Sequence, residues 1–243
     1  MSGVRKEFCR SPACPILGDE NAIMMRMQLF DYELEEWLRT TYSAACSSLP
    51  SKKLTWCHRV QYAVGHAINE YYGMIPDARA RIPVHLLLER RWPKRVEDFL
   101  GEAHYRHVYR TVMEQLERIF KEANSADYPV ALYEQWSTNV AELNLNLVMI
   151  FQVVWHNKQT DEFIVQKFLV QDDAEVNQAF VHMTNVFWHS VYGRPADQIV
   201  VYALMNGRKY SYLGENLPLQ QSLDYMNLLA EVVMEAAPVE IPV

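Results

Sequence analysis

The sequence predicts an α/β fold in which an N-terminal helical part packs on a small mixed sheet. Apolar residues at helical spacing dominate the first half, whereas Leu143–Trp155 and Glu162–Val170 have the apolar pattern of strands. The chain has 243 residues and half of them are hydrophobic, enough for a sizeable core. We divide it into a helical region, residues 1–127, and an α/β core, residues 128–243, expected to form one compact unit.

The N-terminal region is predicted to contain three long helices after an irregular arm, Met1–Glu20. The first helix, Met24–Ala45, carries apolar residues three and four positions apart. The second helix, Leu54–Tyr72, ends at Gly73, a residue typical of helix ends. The third and longest helix covers Val96–Asn124.

The core is predicted to alternate strands and helices. Both faces of its first long strand are largely apolar, so this strand is expected to lie centrally in the sheet. In chain order the predicted elements are the strands Val130–Trp136, Leu143–Trp155 and Glu162–Val170, the helix Asp172–Tyr192, the hairpin strands Gln198–Met205 and Lys209–Leu213, and the helix Leu217–Met234.

The charge balance limits the function classes. The net charge is −7 and the isoelectric point is about 5.6, whereas a dedicated non-specific DNA binder is usually basic. A local basic groove, or a subunit whose partner supplies the charge, stays compatible with this balance. No apolar run is long enough for a membrane span and no signal peptide is recognisable, so a cytoplasmic location without a membrane partner is expected.

Four short motifs follow one another in the chain: Gly65-His66, Glu134, Lys167 within Ile164-Val165-Gln166-Lys167-Phe168, and Gln178. This ordered series, over about Trp56–Leu213, resembles the RecB/Cas4-like branch of the PD-(D/E)XK nuclease superfamily. The resemblance implies a sheet of restriction-endonuclease-like type. It also implies an active-site cleft to which His66, Glu134 and Lys167 would contribute.

The chain departs from this family in its acidic residues. The family needs two carboxylates, because hard oxygen ligands hold the divalent ion that activates water. No acidic residue lies between Glu142 and Asp161, and Val165 stands where the acid of the (D/E)-x-K motif belongs. We therefore predict a degenerate nuclease without catalytic residues, metal or cofactor, in which Lys167, Glu134 and His66 are vestigial.

The cysteines do not restore a metal centre. Their spacing fits no standard zinc pattern, so reduced structural thiols are the main interpretation and a metal site is the alternative. The Cas4-like iron–sulfur layout needs three late cysteines, whereas all four cysteines of this chain lie early: Cys9, Cys14, Cys46 and Cys57.

A dense run of cations forms the predicted nucleic-acid-binding site. Clustered cations bind phosphates, and an aromatic ring among them could stack on a base. The alternative is a solvated helix start whose charges pair with Glu89, Glu97 and Asp98. The predicted binding residues are Arg90, Arg91, Trp92, Lys94, Arg95, Arg106 and Arg110.

Three functions are compatible with these observations. The first is a non-catalytic subunit that binds DNA or RNA, other protein subunits, or both, within a DNA-processing or defence complex. The second is an active metal-dependent nuclease that recruits carboxylates from non-standard positions, such as Glu134, Asp161 or Glu162. The third is a protein-interaction module without a nucleic-acid role.

Overall fold

The structure is a computed structural model that describes residues 27–42, 55–122 and 128–236. These residues form a mixed α/β fold built on one mixed sheet of six strands. The strands are β1 (Met27–Phe30), β2 (Ala131–Val140), β3 (Leu145–Asn157), β4 (Glu162–Leu169), β5 (Gln198–Ala203) and β6 (Arg208–Leu213).

Seven α-helices of the described residues cover the sheet. In chain order they are α1 (Asp31–Tyr42), α2 (Trp56–Gly73), α3 (Pro76–Arg79), α4 (Val84–Glu89), α5 (Glu102–Glu122), α6 (Ala174–Tyr192) and α7 (Leu219–Ala236). Helix α6 shows clear end signals. The Asp173 carboxylate accepts a hydrogen bond from the Val176 backbone N–H, and Gly193 ends the helix at φ +70°, where a residue without Cβ is favoured.

Strand β3 is the centre of the sheet. Strand β2 pairs with one edge of β3 along its length, in antiparallel fashion. The other edge is shared by two strands: β1 pairs in parallel with residues 145–148, and β4 pairs antiparallel with residues 153–157. Strand β5 then lies parallel to β4, and β6 closes the sheet antiparallel to β5. The sequence predicted that this strand would be central because both of its faces are largely apolar, and the pairing confirms that position.

Each face of the sheet carries its own hydrophobic core. Helices α1, α6 and α7 pack on one face, where Phe187 and Trp188 are buried. Helices α2, α4 and α5 pack on the other face, where Phe168 and Val153 are buried beneath them. Alternate residues of the central strands therefore enter different cores, as the two-residue period of a strand requires.

Three predicted elements differ from the observed ones. The predicted strand Val130–Trp136 is longer in the structure and extends to Val140 as β2. The predicted helix Met24–Ala45 contains a strand, β1, and its helical part begins only at Asp31, because β1 pairs with β3. The predicted helix Val96–Asn124 begins at Glu102, after a short 3-10 turn at Val96–Asp98. The helical region therefore contributes a strand to the core sheet.

None of the helices in the described ranges combines the length and hydropathy needed to cross a bilayer.

Candidate functional site

Lys167 lies in a buried ion cluster. Its ammonium is 2.8 Å from a carboxylate oxygen of Glu35 and 3.9 Å from one of Asp31, and 4.7 Å from the centre of the Phe180 ring. The residue is 4% exposed. Position 167 shares a strand face with Val165 and Leu169, which both belong to the core beneath α1 and α6. The predicted motif lysine is therefore inside the protein.

The sheet itself creates the place for this cluster. Strands β1 and β4 occupy the same edge of β3 but leave residues 149–152 between them without a strand partner on that edge. Side chains fill the gap, since buried backbone groups must be hydrogen-bonded. The Ile150 backbone N–H donates to Asp31 Oδ1 (3.2 Å), and the Phe168 backbone N–H donates to Gln152 Oε1 (2.7 Å).

The charges of the cluster compensate one another. Burial alone would raise the pKa of Glu35, but Lys167 and Arg39 outweigh it and the pKa is lowered. Burial alone would lower the pKa of Lys167, but Glu35 and Asp31 outweigh it and the pKa is raised. Burial raises the pKa of Asp31 in spite of the more distant Lys167 ammonium. Arg39 also approaches the carboxylate of Asp173, at 3.9 Å.

The other two vestigial candidates do not join Lys167. His66 lies on α2, which packs on the opposite face of the sheet, and its ring contacts Tyr62 with centroids 4.4 Å apart. Glu134 is exposed on β2, which β3 separates from β4, and it accepts a hydrogen bond from Trp136 Nε1 (3.2 Å). No single cleft in the described residues contains all three predicted residues.

Gly65 of the predicted motif has a packing role. A Cβ at this position would lie 3.2 Å from the hydroxyl oxygen of Tyr133. Tyr133 has a left-handed backbone, with φ +50°, and its hydroxyl is buried without a partner among the described residues. The glycine therefore lets α2 pack closely against β2.

The acids that surround Lys167 were missed by sequence reasoning. Asp31 and Glu35 are four residues apart on α1, on the same side as the buried Leu34 and Leu38. Two acids beside an apolar helix face are a signal for a buried counter-charge. The signal was concealed because Asp31 and Glu35 lie more than a hundred residues from Lys167 in the chain.

The non-standard carboxylates lie apart from Lys167. Asp161 is in the turn between β3 and β4, where it pairs with His156 (2.8 Å) and Arg194 (3.2 Å). The hydrogen bond from His156 lowers the pKa of Asp161. Glu162 accepts a hydrogen bond from Thr160. Residues 162 and 167 are five strand positions apart, roughly 17 Å. In the described ranges, no three His, Cys, Asp or Glu side chains are grouped to hold a metal ion.

Cys57 is a free thiol, and burial raises its pKa to about 11, which disfavours the thiolate at neutral pH. Cys9, Cys14 and Cys46 lie outside the described residues.

The predicted basic run is largely at the surface. Arg90 pairs with Glu70, Arg106 pairs with Glu102, and Lys94 donates to the Glu89 backbone carbonyl. Arg91, Arg95 and Arg110 are exposed and have no carboxylate partner in the described part of the chain. The alternative pairing with the carboxylates of Glu89, Glu97 and Asp98 does not form among the described residues: Glu89 accepts a hydrogen bond from Tyr109, and Asp98 pairs with Arg59.

Trp92 differs from the rest of the basic run. It is 4% exposed and belongs to the core beneath α4 and α5, where its ring meets Tyr109 edge-on at 5.0 Å. A base cannot stack on a ring that the core already covers. The basic run therefore offers cations for phosphates but no aromatic platform.

A large cavity lies on the α2–α5 face of the sheet, with a volume of 990 Å³. Strands β3–β6 form its floor, the ends of α2 and α5 form a wall, and the turn between β3 and β4 forms part of the rim. This volume is at the upper end for small-molecule pockets. No residue proposed from the sequence lines it.

Comparison with known proteins does not identify the chain. No protein-family model and no curated protein matches it. Among solved structures, one described as "Crystal structure of SSO0001" is 10% identical and has a TM-score of 0.30, with 86% of each chain covered. A TM-score that low carries no argument about fold family or function.

Proposed function

We propose that this protein is a non-catalytic subunit with a nuclease-like sheet that binds nucleic acid within a DNA-processing or defence complex. The absence of catalysis rests on the burial of Lys167 between Glu35 and Asp31. A catalytic lysine must reach the reacting phosphate, and the neighbouring acids must be free to hold a divalent ion. Here both acids already compensate buried charge or accept a backbone hydrogen bond.

Incubation of DNA with the purified protein tests the absence of catalysis. We expect no cleavage of single- or double-stranded DNA with magnesium or manganese, and no heat of metal binding in calorimetry. Metal-dependent cleavage that disappears in Lys167→Ala and Glu35→Gln, both shown to be folded by circular dichroism, would overturn the proposal. Glu33→Gln, an exposed acid on the same helix, is the matched control.

The nucleic-acid binding that we propose rests on Arg91, Arg95 and Arg110. These guanidinium groups are exposed near the start of α5 and have no acidic partner among the described residues, so phosphates can reach them. Without Trp92 as a stacking platform, binding consists of phosphate contacts, and these distinguish sequences poorly.

A salt series on wild type and on Arg91→Glu/Arg95→Glu tests this surface. Each phosphate contact contributes a log–log slope of about −0.9 on duplex DNA, so losing two contacts should lower the slope by about 1.8. We also expect binding to be lost or at least tenfold weaker, with an unchanged circular dichroism spectrum. Arg81→Glu/Lys121→Glu has the same charge change at other exposed cations and should bind like wild type.

Unchanged affinity and slope in the folded double variant would remove the basic run as the site. That result would favour the protein-interaction module. The exposed Leu228 and Val232, one turn apart on α7, would then be the first surface to test.

A further inference from the structure

The floor of the sheet-face cavity is a grid of side chains on one face of four strands. Cross-strand pairing aligns Trp155 with Ile164 and Gln198 in one row. The next row contains Gln166 opposite Val200. Strand pairing thus fixes two amide side chains on neighbouring strands within one cavity.

The orientation of Gln166 is set by Trp155. The indole N–H of Trp155 donates to Gln166 Oε1 (2.9 Å), and an indole nitrogen can only donate. The amide nitrogen of Gln166 is therefore a donor that no described residue uses. The Gln198 amide nitrogen donates to Ser211 Oγ (2.7 Å), which leaves its oxygen as an acceptor without a donor among the described residues.

Tyr72 contributes its ring to the cavity, and not its hydroxyl. The residue lines the cavity but is only 1% exposed, and its hydroxyl is buried with no hydrogen bond to any described residue. A molecule bound in the cavity would therefore meet the ring and would not reach the hydroxyl.

The rest of the lining selects the kind of molecule. The Tyr72 ring meets Trp155 edge-on at 5.0 Å, and Tyr202 presents a further ring, so the walls favour a planar ligand. Lys209 lies at the rim with its ammonium 5.6 Å from the centre of the Tyr202 ring. Glu122, also at the rim, opposes the accumulation of several phosphates.

We propose that this cavity binds a nucleotide, with the planar base against the rings of Trp155 and Tyr202, its hydrogen-bonding edge on Gln166 and Gln198, and one phosphate near Lys209. A purely apolar ligand would cover the amide nitrogen of Gln166 and the amide oxygen of Gln198 without supplying a hydrogen-bond partner to either. A highly charged anion would meet two lysines, Lys158 and Lys209, and the opposing carboxylate of Glu122. This site is separate from the basic run and does not depend on it.

Calorimetric titration of the whole protein with the four nucleoside 5′-monophosphates tests the proposal. At least one should bind in the micromolar to millimolar range, and Gln166→Leu and Gln198→Leu should each weaken it about tenfold. Gln178→Leu, an exposed glutamine on the opposite face, is the matched control and should bind like wild type. The source of the nucleotide follows from a second arm in the Arg91→Glu/Arg95→Glu variant, where the basic run no longer contributes: there, a short single-stranded oligonucleotide should bind more tightly than its monomer only if the cavity takes a nucleotide within a strand.

Tyr72→Phe is a second control. Because its hydroxyl is buried without a partner among the described residues and is not open to the cavity, its removal should leave both the free energy of unfolding and nucleotide binding close to wild type. Absence of binding by all four monophosphates to folded wild type would overturn the proposal, as would unchanged affinity in both Gln166→Leu and Gln198→Leu. Arg91→Glu/Arg95→Glu should retain monophosphate binding, so failure of the basic-run proposal is recognised independently.

Discussion

At the scale of the residue, partners decide what Lys167 does. The sequence places it in a strand where a nuclease would carry a catalytic lysine, but Glu35 and Asp31 compensate its charge inside the core. A buried ion pair adds little stability over an apolar pair of equal volume, yet removing one member leaves an uncompensated charge. Lys167 is therefore essential to the fold while Glu35 and Asp31 are present.

Lys167→Met should lower the free energy of unfolding by about 3–5 kcal/mol, because the Glu35 carboxylate would lose its main counter-charge. Urea denaturation followed by circular dichroism measures this loss. Combining Lys167→Met with Glu35→Leu should recover part of it, since the second change removes the orphaned charge. A loss below about 1 kcal/mol for the single variant, within the range of ordinary surface substitutions, would contradict the role given to the cluster.

The Glu35 carboxylate should make stability depend on pH. Its pKa in the folded protein lies below the ordinary value of 4.5, so its stabilising contribution is present above that value and is lost as the pH falls through the folded pKa. The difference in unfolding free energy between wild type and Glu35→Gln should therefore be largest near neutral pH and shrink in acid. Glu33→Gln, which removes an exposed acid of the same helix, is the matched control. The carboxyl of Asp31 has the opposite effect on stability. Burial raises its pKa in the folded protein, so its contribution to the free energy of unfolding is lost as the pH rises through that folded pKa.

At the scale of the element, the ends of neighbouring strands are positioned by close contact between backbone atoms as well as by secondary-structure propensity. Gly214 follows β6 and donates its backbone N–H to the Asp197 carbonyl, 3.0 Å away. A Cβ at this position would lie 2.0 Å from the backbone oxygen of Ala196. The end of β6 can therefore approach the start of β5 only with glycine there.

Gly214→Ala should destabilise the protein by about 3 kcal/mol or force a local rearrangement, since the obstructing atom is backbone. Gly73→Ala is the matched control: a Cβ at this helix end meets nothing within 4 Å. We expect the control to stay within about 0.5 kcal/mol of wild type. Thermal melts of both variants measure the difference, and equal melting temperatures would contradict the predicted clash.

At the scale of the whole molecule, the sheet joins two cores. Helix α1 is tied to β4 through Lys167, and α2 is tied to the same strand by Gln61, whose side chain bonds the Phe168 carbonyl and the Val170 N–H. A chain limited to residues 128–243 would lack α2, α4 and α5, which cover one face of the sheet. It would also lack α1, which packs on the other face, and the strand β1.

The full chain should unfold in one cooperative transition, whereas a fragment of residues 128–243 should not. Without the N-terminal region, Phe168 and Val153 would be exposed on the open face of the sheet. Near-ultraviolet circular dichroism and urea denaturation distinguish the two states. A fragment that shows a sharp transition and a native-like spectrum would demonstrate that the α/β core is an independent domain.

The sequence by itself determined the periodic elements. The strands β3 and β4, the helix α6 and the hairpin β5–β6 lie close to their predicted positions, because alternation, helical spacing and turn glycines act over a few residues. The restriction-endonuclease-like type of the sheet stays a prediction. Tertiary structure decided what local patterns cannot encode. Pairing with β3 turned Met27–Phe30 into a strand, and packing between α4 and α5 enclosed Trp92. The gap between β1 and β4 joined Asp31 and Glu35 to Lys167, and the pairing of β4 with β5 placed Gln166 and Gln198 in one cavity. These associations depend on contacts between residues far apart in the chain, and only the folded sheet brings them together.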